Sequence, residues 1–140
     1  MTIRLNPYLG FKGNAREAIE FYQFVFGGEL TVNTFSELHA SQNPAEDNLV
    51  MHSALVTKNG IRLMASDTPD RMAYNPGDNI TISLVGDLED RETLEGYWSK
   101  LMAGGTETSP LAKAVWGDWF GMGIDKFGIG WLVNIAALPA

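Results

Sequence analysis

Two amphipathic segments of this chain each stop at a Gly-Gly pair, Gly27-Gly28 and Gly104-Gly105. Each is followed by strand-forming sequence that closes on a tight hairpin, at Asn59-Gly60 and at Phe127-Gly128. The order strand, helix, Gly-Gly, three strands therefore occurs twice, and it constrains the fold more than any single motif. Residue identities barely repeat, and the long 37–48 segment accounts for most of the difference in spacing. The reading is α+β: two βαβββ units, about 3–68 and 78–136, within one domain spanning 1–140. Each sheet is expected to bury its more apolar face under its helix, leaving the other faces to curve round a shared cleft.

Local chemistry places the elements. Leu5 to Phe11 reads as a strand in which Pro7, lacking an N–H, must sit at an edge or a start. Asn14 with Glu17 three residues on has the form of a capping box. Ala18, Phe21, Tyr22, Val25 and Phe26 then recur at helical spacing, predicting a helix over 15–26. Glu29 to Phe35 reads as a strand and 37–48 as a loop. Leu49 to Thr57 reads as a strand with Val50, His52, Ala54 and Val56 on one face. Lys58-Asn59-Gly60 is a hairpin turn, Ile61 to Asp67 the return strand, and 68–78 a loop.

In the second unit Asn79 to Gly86 is a strand with Ile80, Ile82 and Leu84 on its helix side. A helix over 89–103, capped by Asp87 or Asp90, carries Leu94, Tyr97, Trp98, Leu101 and Met102 as its stripe, with Gly96 off it. A short strand near 106–109, a loop through Lys113 and a strand near 117–125 follow. In Asp125-Lys126-Phe127-Gly128 the carboxylate can bond the backbone two residues on, and Gly128 can take the positive φ that closes the turn. Ile129, Trp131, Val133 and Ile135 then share one face of the last strand, and Gly130, Leu132 and Asn134 the other.

Composition excludes several classes. The net charge of -7 opposes nucleic acid and anionic membrane surfaces as partners. The absence of cysteine removes disulfides, thiolate metal sites and cysteine nucleophiles. No signal peptide or membrane span is legible, so a cytoplasmic protein is expected.

Four stretches carry a family resemblance: Pro7 to Asn14; Ala18-Ile19-Glu20-Phe21-Tyr22 leading to Phe26-Gly27-Gly28-Glu29-Leu30; Leu63 to Asp67; and Asp125 to Ile129 with Trp131 and Asn134. Together they resemble the PhnB-like branch of the vicinal oxygen chelate superfamily, which also holds glyoxalase I and the bleomycin-resistance proteins. The resemblance implies the paired βαβββ fold and a homodimer. Branch members also carry a methyltransferase label, yet no Gly-rich strand-to-helix loop stands here to hold S-adenosylmethionine. Chelate enzymes of the superfamily hold a divalent ion with His, Glu or Gln from four cleft-facing strand positions. The matching positions here are Asn6, Met64 (or Ser66), Asn79 and Leu132, none of them His or Glu. A divalent metal is therefore disfavoured and no cofactor is expected.

The cleft face is expected to carry Asn6, Tyr8, Arg62, Met64, Ser66, Asn79, Thr81, Ser83, Leu132 and Asn134. His52 is a further candidate, against a structural, hydrogen-bonded role, and its orientation is open; His39 reads as a solvated loop residue. Trp116 and Phe120, with Trp119, could wall a planar ligand, but core or dimer contacts are the favoured reading for them. Arg62 could pair with an anion bidentately, or be a surface charge. No catalytic residue is assigned. The first reading is a small-molecule-binding protein. Its rivals are an enzyme acting on a small anionic or aromatic compound, with His52, Tyr8 and Arg62 as polar groups, and a drug-sequestering resistance protein.

Overall fold

The structure, a computed structural model, describes residues 2–137 and divides into two compact units that meet in sequence between Pro76 and Gly77. The first contains β1 (Tyr8–Phe11), α1 (Ala15–Phe26), β2 (Glu29–Thr34), β3 (Val50–Val56) and β4 (Arg62–Asp67). The second contains β5 (Thr81–Gly86), α2 (Arg91–Met102), β6 (Thr106–Lys113), β7 (Trp119–Ile124) and β8 (Gly130–Ile135). Their sheets have the same order, β1-β4-β3-β2 and β5-β8-β7-β6, with the first pair of each parallel and the others antiparallel. Among the described residues no helix is long and apolar enough to cross a membrane.

The duplication extends to single atoms. Gly27 and Gly104 take φ of 74° and 80°, ending their helices in the left-handed region that glycine enters without a steric cost. The next glycine in each pair has a different job. A Cβ on Gly28 would lie 2.5 Å from the Val56 carbonyl oxygen, and one on Gly105 would lie 2.4 Å from that of Ile124. Both residues pass against the strand just before the unit's hairpin. In those hairpins Thr57 N–H donates to Ile61 O (3.0 Å) and Asp125 N–H to Ile129 O (2.9 Å), while Gly60 and Gly128 donate back to Thr57 and Asp125. The pairs Phe11↔Asp67 and Gly86↔Ile135 end the parallel ladders in the same way.

Each sheet buries one face under its own helix. In the first unit α1 presents Ala15, Ala18, Ile19, Tyr22, Val25 and Phe26 to Phe11, Leu55, Leu63 and Ala65, all buried. In the second, Leu94, Trp98 and Leu101 of α2 meet Trp131, Val133 and Ile135. Gly96 is exposed, as its place off the stripe predicts. Asp125 acts as the turn carboxylate: Oδ1 accepts from Phe127 N–H (2.8 Å) and Ile129 N–H (3.1 Å), and Oδ2 accepts from the buried Trp131 indole (2.8 Å).

Several expectations are corrected. Strand β1 begins at Tyr8, not Leu5. Pro7 offers only its carbonyl, which accepts from Met64 N–H, and it stands at the start of an edge strand. The Asn14–Glu17 capping box does not form, and the Asn14 side chain makes no cap bond. Asp67, 52 residues away from Ala15, caps α1 instead. Its Oδ1 accepts from Gly13 N–H (2.7 Å) and Ala15 N–H (3.0 Å), and its Oδ2 from Val50 N–H (2.9 Å).

Val50 does not share a face with His52, Ala54 and Val56. The β2–β3 register passes from Asn33↔His52 to Thr34↔Val50, so Met51 is an extra residue. This bulge turns Val50 into the core, where it is 1% exposed. Ile80 precedes β5 and is exposed rather than set against α2. The expected loop through Lys113 is strand: β6 runs eight residues to Lys113. It accommodates Pro110 because it is an edge strand with register shifts between Glu107 and Ala112.

Candidate functional site

The face of each sheet opposite its helix carries half-buried and exposed side chains. On the first sheet the register sets Tyr8 beside Met64, and Met64 beside Ala54; Arg62 lies beside Val56. Ser66 follows on β4. His52 lies on this same open face, because its neighbour Ser53 is fully buried and bonds Ala65 O (2.7 Å). The Tyr8 and His52 rings stand 6.1 Å apart, tilted at 33°. The sequence-predicted Tyr8, His52, Arg62, Met64 and Ser66 are therefore brought onto one surface.

Arg62 has an unusual environment. Its Nε is shielded from solvent and has no hydrogen-bond partner, the only such side-chain atom among the described residues. A guanidinium carries five donors, and leaving one dry and unpaired is unfavourable by about 1–3 kcal/mol. A guanidinium can pair with a carboxylate or phosphonate by two parallel N–H bonds, and such a pairing that included the Nε would satisfy it. Among the described residues Arg62 makes no ion pair.

On the second sheet the open face carries Thr81 and Ser83 of β5, Leu132 and Asn134 of β8, and Phe120 and Met122 of β7, with Phe120 beside Asn134 and Met122 beside Leu132. Thr81 and Ser83 are exposed, not under the helix, as expected. The hairpin between β6 and β7 brings Trp116 against Phe120, ring centroids 5.4 Å apart and near-perpendicular at 69°. Asp118, which carried no signal in the sequence, organises this corner. Its Oδ2 accepts from the Asn134 amide (3.1 Å) and its Oδ1 from Ala137 N–H (3.1 Å). The Asn134 amide, then the Ala137 N–H, and finally the Trp116 side chain hold the Asp118 carboxyl below its ordinary range, against a small opposing effect of burial. Asn134, on the face opposite α2, is thus already engaged by a neighbour.

The positions matching the superfamily's metal ligands, Asn6, Met64 (or Ser66), Asn79 and Leu132, carry no imidazole or carboxylate. Asn6 and Asn79 fall before β1 and β5 rather than on them. By the equivalence of the parallel ladders, Met64 and Leu132 occupy the same place in their sheets. That place offers a thioether in one unit and an aliphatic side chain in the other. Among the described residues the one group of three acidic or imidazole side chains close enough to share an ion is Asp87, Glu89 and Asp90. It is exposed at the start of α2, where Asp90 accepts from Asp87 N–H (3.0 Å), and it belongs to neither open face. A depression of about 450 Å³ lined by Gly28, Glu29, Val56, Thr57 and Lys58 contains none of the predicted residues.

Residues 4–134 match the family model described as 3-demethylubiquinone-9 3-methyltransferase. Protein YjdN of Escherichia coli K12 is 28% identical over 138 residues, which covers 94% of each chain. The crystal structure of protein PA1353 from Pseudomonas aeruginosa is 34% identical, with a TM-score of 0.79 over 96% of this chain and 98% of that one. A glyoxylase/bleomycin resistance protein/dioxygenase domain from Frankia shares the fold at 12% identity, with a TM-score of 0.63 over 97% of this chain and 93% of that one.

Proposed function

This chain belongs to the PhnB-like family described as 3-demethylubiquinone-9 3-methyltransferase and has the glyoxalase/bleomycin-resistance fold, and from that premise we propose that it binds a small anionic compound on the open face of its first sheet, without a catalytic metal. The observation that carries this reading is the dry, unpartnered Nε of Arg62 on a face that also presents Tyr8 and His52. Arg62 would take the anion in a fork of two N–H donors. Met64 would supply an apolar floor beside it, and the Tyr8 and His52 rings would border the remainder of the ligand and donate to its polar atoms.

Methyl transfer, the activity in the family's description, does not enter the reading. No Gly-rich strand-to-helix loop with free N–H groups stands here to hold S-adenosylmethionine. At the start of α1 those of Gly13 and Ala15 are already taken by Asp67, and the turn before α2 is occupied by Asp87 and Asp90.

The test is a thermal-shift titration with benzoate and phenylphosphonate. Ligand at a hundred times its dissociation constant stabilises by about 2.7 kcal/mol. Saturable stabilisation that disappears in Arg62→Gln is the expected result. An equal shift in the variant would sink the assignment of Arg62. Chelator-treated protein titrated with Mn, Fe, Co, Ni and Zn is expected to show no specific shift. A shift abolished by Asn79→Ala would restore a metal site and overturn the metal-free reading.

A further inference from the structure

The corner formed by Trp116, Asp118 and Phe120 lies in the second unit and plays no part in the anion site. Three features of it combine. Trp116 is 60% exposed although it is a large aromatic, and its neighbour Val115 is wholly exposed. Its ring is fixed by edge-to-face contact with Phe120. Asp118, a half-exposed carboxylate, is anchored by Asn134 and the Ala137 backbone and makes no ion pair among the described residues. A negative charge held still beside an open indole, with no basic side chain against it, presents both halves of a cation site: a carboxylate for the charge and a π face for the flat body. Ala112, paired with Phe120 on the neighbouring strand, is small and exposed. The net charge of -7 raises the local concentration of cations around such a group.

We propose that Trp116, Asp118 and Phe120 form a recognition site for a small planar organic cation of the amidinium or guanidinium type, with Asn134 as the residue that positions the carboxylate. The cation stacks on the Trp116 indole and directs its N–H groups to an Asp118 oxygen.

The experiment compares benzamidinium with its neutral isostere benzamide by NMR, following the Trp116 indole resonance, which the Trp116→Leu spectrum assigns. The expected result is saturable binding of benzamidinium and binding about ten-fold weaker for benzamide, the factor a charge-assisted bond supplies. Asp118→Asn is expected to weaken benzamidinium by a similar factor, and added salt to weaken it further. Trp116→Leu, at an exposed hairpin tip, removes the π face and one bond to the carboxylate while Asn134 and the Ala137 N–H still hold it, and provides a second test if Asp118→Asn folds poorly. Arg62→Gln is expected to bind benzamidinium as the unaltered protein does. Equal binding of benzamide, or benzamidinium affinity unchanged in both Asp118→Asn and Trp116→Leu, or no saturable shift at all, would overturn the proposal.

Discussion

Replacing Asp67 tests whether a carboxylate 52 residues from the start of α1 is what holds that helix to its sheet. The side chain is 4% exposed and accepts three backbone bonds, from Gly13, Ala15 and Val50. In Asp67→Ala all three donors lose their acceptor. Gly13 is exposed and can be rehydrated; Ala15 and Val50, at 0% and 1% exposure, cannot. Each buried orphan costs about 1–3 kcal/mol, so the variant should lose about 4 kcal/mol in total. At about 3 °C per kcal/mol for a chain of this size, the midpoint falls by about 12 °C. Asp67→Asn should cost roughly half as much: its amide oxygen still serves Gly13 and Ala15, but its NH2 confronts the Val50 N–H. Urea unfolding followed by circular dichroism, with the slope checked for constancy, measures both. Asn14→Ala, at the residue the sequence nominates as the cap, should change stability by less than about 0.5 kcal/mol. A cost below about 1 kcal/mol for Asp67→Ala, or a larger one for Asn14→Ala, would refute the reasoning.

Further outcomes follow from the glycines and from Asp118. Gly28→Ala and Gly105→Ala should each cost at least about 2 kcal/mol, since both methyls meet a carbonyl oxygen at 2.5 Å or less, whereas Gly96→Ala meets nothing within 4 Å and should add up to about 1 kcal/mol of helix stability; the same urea assay ranks them. The Asp118 carboxyl should titrate below an ordinary aspartate in a carbon-detected NMR series, and Asn134→Ala should move it back up, because the amide is its main stabiliser. A depressed folded-state value means that its contribution to stability is complete above the unfolded-state value and is lost as the pH falls through the folded one. An unchanged midpoint in Asn134→Ala would show that the amide is not the cause.

What the sequence by itself determined is local. Helix α1 spans the predicted residues 15–26, and the Gly-Gly stops, the hairpins at Gly60 and Gly128, and the carboxylate turn at Asp125 stand where read. Each of these depends on backbone angles or side-chain spacing within about ten residues, so the pattern is printed in the chain itself. The doubled order of elements was legible for the same reason, and the family's fold confirms it. On the face of the first sheet away from α1, alternation was enough to set Arg62, Met64 and Ser66 opposite Leu63 and Ala65.

Tertiary structure alone decided the rest, because pairing across strands has no local signature. A single bulge at Met51 reversed Val50 relative to His52, and so turned the histidine's open orientation into a fact that strand alternation could not supply. The cap of α1 passed from Asn14 to Asp67 because the parallel β1–β4 register delivers a carboxylate to the helix start. Asp118 became the organiser of the Trp116 corner only when β7 paired with β8 and brought Asn134 to it. In each case the deciding contact joins residues that the chain keeps apart, and its free energy exists only once the sheet has set the register.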